Sequence, residues 1–148
     1  MKAAVIRVEN DKKILRIEDV ENPTVGDHDV LVRIMASGIC GSDLHGFLDS
    51  AGTARRDGLI MGHEAAGEVV DLGPLVKSVS VGDHVTIDPQ VVCGTCIPCR
   101  NGWISICDNK RVIGSSLRGF EQGTMSELAS VPESQVYVVP DSMDFAFV

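Results

Sequence analysis

The chain has 148 residues, 44% of them hydrophobic, and a formal net charge of −8. That length suits one domain, 1–148, and is too short for two full α/β domains, and no apolar run reaches the roughly 18 residues that a membrane span needs. The acidic balance argues against general affinity for nucleic acid, whose phosphates would be repelled over most of the surface; Arg100, Lys110, Arg111 and Arg118 read as solvated charges around a loop.

At the N-terminus, MKAAVIRVENDKK sets Arg7, Glu9 and Asp11 where a secretory signal would need its apolar stretch, which predicts a cytoplasmic protein with reduced thiols. KAAVIRV (2–8) is a short β-branched run. DVLVRIM (29–35) alternates Val30, Val32 and Ile34 against Leu31, Arg33 and Met35, which gives a strand one apolar face. Helix signals are few: SDLHGFLD (42–49) begins with Ser42 as a plausible N-cap and ends in a glycine-rich segment. EAAGEVVDLG, DHVTI and QVYVVP are further strand-like runs, punctuated by turn signals at Asn22-Pro23, Gly26-Asp27, Gly73-Pro74, Gly82-Asp83 and Asp88-Pro89. Many short strands with 15 glycines predict a mainly β fold, an antiparallel barrel or sandwich with few short helices. VGDH occurs at 25–28 and again at 81–84, each time before a strand, so His28 and His84 are expected as exposed turn residues. No G-x-G-x-x-G is present, so the chain contains no recognisable dinucleotide cradle and no Rossmann domain.

Four of the five cysteines fall in CGTCIPCRNGWISIC, residues 93–107. Cys93, Cys96 and Cys99 are spaced by two residues, which lets neighbouring thiolates converge on one ion as the backbone wraps it; Cys107 closes the tetrahedron after a longer excursion. Four thiolates leave no open position, so the pattern predicts a structural zinc. An iron–sulfur cluster is the nearest rival, but the bacterial pattern continues C-x-x-x-C-P, which this loop lacks. Cys40 stands apart in GICGSDLHG, and MGHEAAGE follows with His63 and Glu64 adjacent. Together they could form an open N, S, O site; singly, Cys40 reads as a small buried hydrophobe and His63 as a hydrogen-bonded core residue.

The ordered series GICGSDLH, GHEAAGEVV, VGDHVTI, CGTCIPCRNGWISIC and FEQGTMSELASVPESQVYVVPDS resembles the zinc-dependent medium-chain alcohol and polyol dehydrogenases, from Met1 to about Val139. The local variant around Cys40 and Glu64 looks most like the sorbitol, butanediol and threonine dehydrogenase branches. The resemblance implies a GroES-like β-barrel catalytic domain, a structural zinc at Cys93, Cys96, Cys99 and Cys107, and a catalytic zinc at Cys40 and His63, with Glu64 as a ligand or close behind one. It also implies that Ser42 and His45 carry the substrate proton outward and that Asp43 orients His63. Each has a plainer reading: Ser42 as a cap, Asp43 as a first-turn charge, His45 as an exposed helix residue. The implied reaction oxidises a small-molecule secondary alcohol or polyol to a ketone with NAD or NADP, in an enzyme that is a homo-oligomer when full length. Because the nucleotide-binding domain of such enzymes lies outside these residues, the chain is expected to be a fragment, inactive alone and weakly occupied at Cys40. Phe145, Phe147 and Val148 are expected to form an uncovered apolar tip. Two other classes remain open, a zinc-stabilised binding or scaffold module and, on fold analogy alone, a co-chaperonin-like oligomer.

Overall fold

The computed structural model describes residues 1–48 and 55–148. In chain order its strands are β1 (Lys2–Glu9), β2 (Lys12–Asp19), β3 (Asp29–Ser37), β4 (Ala65–Leu72), β5 (His84–Ile87), β6 (Gln90–Val91), β7 (Arg111–Val112), β8 (Leu128–Pro132) and β9 (Val136–Val138). Helix α1 (Gly41–Phe47) follows β3, and the short α2 (Ile97–Arg100) lies in the cysteine loop. The expectation of a mainly β fold with few short helices therefore holds. No helix among the described residues is long and apolar enough to cross a membrane.

Every strand pairing among the described residues is antiparallel. A five-stranded sheet runs in the order β8-β3-β4-β5-β9, while β1 with β2 and β6 with β7 form separate ribbons. The alternation read in DVLVRIM is present in space: Val30 and Val32 are fully buried and join Val69 and Val85 in the main core. Each such side chain contributes about 1.5–3 kcal/mol of burial free energy, and together they fix which face of the sheet is inside. Two bulges interrupt the β3–β4 ladder, between Leu31 and Val32 and between Ile34 and Ala36. Bulges bend and twist a strand, and here they lie just before the segment that carries Cys40.

Sequence reasoning missed β2. Its pattern eludes a periodicity test because little of it is buried, and Ile17 is 71% exposed. The usable signal was Asn10-Asp11, both with positive φ (50° and 59°), the chemistry of a tight hairpin turn. Strands β6, β7 and β8 were also missed, the first two being only two residues long.

Three expectations need correction. Cys40, not Ser42, is the N-cap of α1; Ser42 stands inside the first turn, and Asp43 at the third position reaches back so that its Oδ2 accepts from the Cys40 N–H at 3.2 Å. The expected helix extended to Asp49, which lies outside the described residues. His28 is an exposed turn residue as expected, but His84 begins β5 and is half-buried, its ring 4.5 Å from that of Phe145. Consequently the C-terminal apolar residues are not uniformly uncovered: Phe145 packs on His84, whereas Phe147 is 85% exposed.

Candidate functional site

The cysteine loop leaves β6 and turns through Gly94 and Gly102, whose φ values of 70° and 79° suit glycine. Cys96 caps α2, Pro98 sits in its first turn, and a 3-10 turn at Ile104–Ile106 brings the chain back to Cys107. The four sulfurs lie within 4.8 Å of one another. Cys107 Sγ is 3.6 Å from Cys93 Sγ and 3.9 Å from Cys96 Sγ. A tetrahedral zinc with bonds of about 2.3 Å requires sulfurs about 3.8 Å apart, so the residues fit that ion. The backbone N–H of Cys93 points at Cys107 Sγ, at 3.4 Å. Cys93 is pushed down to about 5 by the backbone N–H groups of Thr95 and Cys96, while Cys99 is pushed up to about 12 by burial and by the neighbouring sulfurs of Cys96 and Cys107. Four thiolates this close oppose one another, and a divalent cation is the partner that lets all of them ionise. Ile97, Trp103 and Ile106 all face solvent, so the loop has little apolar core of its own.

The second set of residues is assembled from two segments. At the end of β3, the Gly38 N–H donates to the Glu64 carbonyl at 2.7 Å, which draws the α1 entry against the residues preceding β4. Gly62 holds φ +93° and is enclosed by backbone: a Cβ on Gly114 or Gly123 would run into the Gly62 carbonyl oxygen. That oxygen accepts from the Thr124 N–H at 3.0 Å, and the Met61 carbonyl accepts from Met125 at 2.8 Å. The turn carrying His63 and Glu64 is thus held by close backbone contact, which only glycines at 62, 114 and 123 permit.

One ligand atom from each of Cys40, His63 and Glu64 comes within 4.8 Å of the others. His63 is buried, with Nε2 3.4 Å from Ser42 Oγ and Nδ1 3.4 Å from Asp43 Oδ1. The latter is an ion-pair separation, and Nδ1 has no hydrogen-bond partner among the described residues. Even so, the Asp43 carboxylate raises the proton affinity of His63, burial opposes it, and Cys40 adds to it. Burial pushes Asp43 up, but His63, the Cys40 N–H and Arg55 together outweigh it and hold the carboxyl below its usual range. The Cys40 thiol is lowered chiefly by the Ser42 hydroxyl and N–H, then by His63, against burial and Glu64. A sulfur that ionises readily, an imidazole beside a carboxylate and the exposed carboxylate of Glu64 form a donor set suited to an open zinc site.

All the expected site residues fall into these two groups, with one looser member. His45 is exposed one turn beyond Ser42 on α1. Sequence reasoning missed Arg55, which is 5% exposed and donates from Nη2 to Asp43 Oδ1 at 3.2 Å. Nothing in ARRDG separates it from Arg56, which is exposed, so only tertiary packing could reveal it.

His63 and Glu64 line a cleft of about 620 Å3 with Thr86, Pro89, Phe145 and Val148. Another depression, about 400 Å3 beside Arg7, Glu21 and Gln122, has no metal-ligating cluster among the described residues.

Residues 26–141 match the family model described as the alcohol dehydrogenase GroES-like domain. L-threonine 3-dehydrogenase of Pyrococcus furiosus is 39% identical over 127 residues, which cover 84% of this chain and 35% of that protein. The crystal structure of galactitol-1-phosphate dehydrogenase from Escherichia coli is 29% identical with a TM-score of 0.86, over 98% of this chain and 40% of that one. An alcohol dehydrogenase from Escherichia coli CFT073, complexed with NADH, is 32% identical with a TM-score of 0.84, over 99% and 40%. The chain therefore spans well under half the length of each of these proteins.

Proposed function

The chain belongs to the alcohol dehydrogenase GroES-like domain family, and from that premise we propose that it is the metal-holding catalytic portion of an NAD(P)-linked, zinc-dependent dehydrogenase. Its substrate is a secondary alcohol or polyol, oxidised to a ketone. L-threonine and sugar alcohols head the candidates, because they fit the names of its relatives. The observation that carries the reading is the convergence of Cys40, His63 and Glu64 beside a cleft large enough for a small alcohol.

In this reading Cys40, His63 and Glu64 hold one zinc and Cys93, Cys96, Cys99 and Cys107 hold another. When bound at the first site, zinc supplies Lewis acidity to the substrate hydroxyl, and the nicotinamide supplies a hydride acceptor. The chain's own residues do the rest. Ser42 Oγ lies beside His63 and accepts the substrate proton as it passes its own onward; His45, exposed on the same helix, delivers that proton to solvent. Asp43 lies against Nδ1 of His63 and keeps the ring oriented, which leaves Nε2 on the side away from that carboxylate. The four-cysteine loop takes no part in the chemistry and acts as a fold element.

Metal analysis and turnover test this together, in the protein that carries this chain. His63→Ala should remove one of two zincs and abolish NAD(P)-dependent oxidation of L-threonine and sugar alcohols, while Cys93→Ser should remove the other. Full turnover by His63→Ala would refute the assignment of the reaction to this site.

A further inference from the structure

Asp43 is fully buried, and both of its oxygens are engaged. Oδ2 accepts from the Cys40 backbone N–H at 3.2 Å, while Oδ1 faces Arg55 Nη2 at 3.2 Å and His63 Nδ1 at 3.4 Å. One carboxylate therefore touches the backbone of one proposed metal ligand and the ring of another. Among the described residues, the only cation that faces it, apart from His63, is a guanidinium that is itself 5% exposed. Arg55 Nε is also buried and has no hydrogen-bond partner among the described residues, so the ion pair with Asp43 is the interaction the structure records for its head group.

We propose that Arg55 is a positioning residue of the Cys40–His63–Glu64 centre: it pins the Asp43 carboxylate and, through it, sets the orientation of His63 and the place of Cys40. The inference rests on reading that cluster as a metal site. Two physical arguments support it. First, a guanidinium is a planar, permanently charged donor, suited to an interior carboxylate in a way a flexible ammonium is not. Without it the carboxylate could rotate away from His63 while keeping its bond to the Cys40 N–H. Second, the charges balance. A thiolate at Cys40 and carboxylates at Glu64 and Asp43, set against one divalent cation, leave a single negative charge, and Arg55 is the buried positive charge that neutralises it. A buried charge left unpaired is strongly unfavourable, so the centre depends on Arg55 for its electrostatics as well as its geometry.

Cobalt titration of the protein that carries this chain tests this, because the tetrathiolate loop and the Cys40 centre give distinct thiolate-to-metal and ligand-field bands. Wild type should take up two equivalents, with the second reporting the Cys40 centre; uptake of only the tetrathiolate equivalent would remove the metal reading itself and leave nothing for Arg55 to position. Given two equivalents, Arg55→Met should weaken the second at least tenfold and alter its bands, with the tetrathiolate bands unchanged. Arg55→Lys should recover part of the affinity, and exposed Arg56→Met should match wild type. In an Asp43→Asn background, Arg55→Met should cause no further loss, since Arg55 acts through Asp43 and is left there as an unpaired buried charge. A wild-type second equivalent in Arg55→Met, or a further tenfold loss in the Asp43→Asn background, would overturn the proposal. Should Arg55→Met fail to fold, as loss of its cooperative thermal transition would show, the doubly changed chain leaves neither Arg55 nor Asp43 as a buried charge and decides the matter alone by the same comparison with Asp43→Asn.

Discussion

Replacing Gly114 by alanine tests whether backbone contact at Gly62 places the His63–Glu64 turn. Gly114 and Gly94 share the same left-handed backbone, with φ +70° at both. An alanine at Gly94 would meet nothing within 4 Å, whereas at Gly114 its Cβ would collide with the Gly62 carbonyl oxygen and lie 3.0 Å from the Gly62 carbonyl carbon. Both variants carry the conformational cost of placing an L side chain there, about 1–2 kcal/mol. Only Gly114→Ala adds overpacking against rigid backbone, about 1–3 kcal/mol more. At roughly 2–4 °C per kcal/mol for a chain of this size, the contact alone should lower the melting temperature by about 2–12 °C. Thermal unfolding of both variants in zinc-saturated buffer reads the difference, and cobalt titration of the second site reads the displacement of His63. Gly114→Ala should lose both stability and second-site affinity, and Gly94→Ala should keep the second site intact. Equal melting temperatures for the two variants, or wild-type second-site binding in Gly114→Ala, would refute the reasoning.

Cys93→Ser should release the loop metal and lower the unfolding temperature sharply, because metal binding contributes on the order of 10 kcal/mol to a loop whose apolar residues face solvent; unchanged zinc content with an intact transition would speak against the tetrathiolate site. Gly38→Ala would set a Cβ 2.6 Å from Glu64 Oε2 and 3.2 Å from Glu64 Cβ. Because the side chain can swing aside, calorimetry should show a stability change within about 1 kcal/mol, while metal affinity at the Cys40 centre falls severalfold. Glu133 Oε1 accepts from the Lys77 and Ser78 N–H groups, both at 2.6 Å, and these, with the Ser78 hydroxyl, hold its carboxyl below the usual range. A depressed carboxyl stabilises the fold above its unfolded pKa of about 4.3 and loses that contribution as pH falls through the folded value. Urea midpoints of wild type and Glu133→Gln should therefore differ near pH 6 and converge toward pH 3.

The thiolate cluster was legible in the chain because it rests on residue type and short spacing, whereas Cys40, His63 and Glu64 come from separate segments and were grouped through the order of the motifs around them. C-x-x-C-x-x-C brings thiolates together almost without regard to the rest of the fold, and the loop forms as that spacing predicts. Strands with one buried face, such as β3, announced themselves by alternation, since the core enforces a period of two. Where burial is slight the pattern has no cause to appear, and β2 was missed for that reason.

By itself, the sequence determined the mainly β character and the clustering of the four loop thiols through local chemistry, and it grouped Cys40, His63 and Glu64 only through motifs that resemble a family. Only the tertiary structure decided that Arg55 is interior and Arg56 is not, that Gly114 and Gly123 leave room for the Gly62 carbonyl, and that His84 packs on Phe145. Those outcomes depend on which distant backbone segments meet, and neighbouring residues of like chemistry carry no mark of it until the sheet has closed around them.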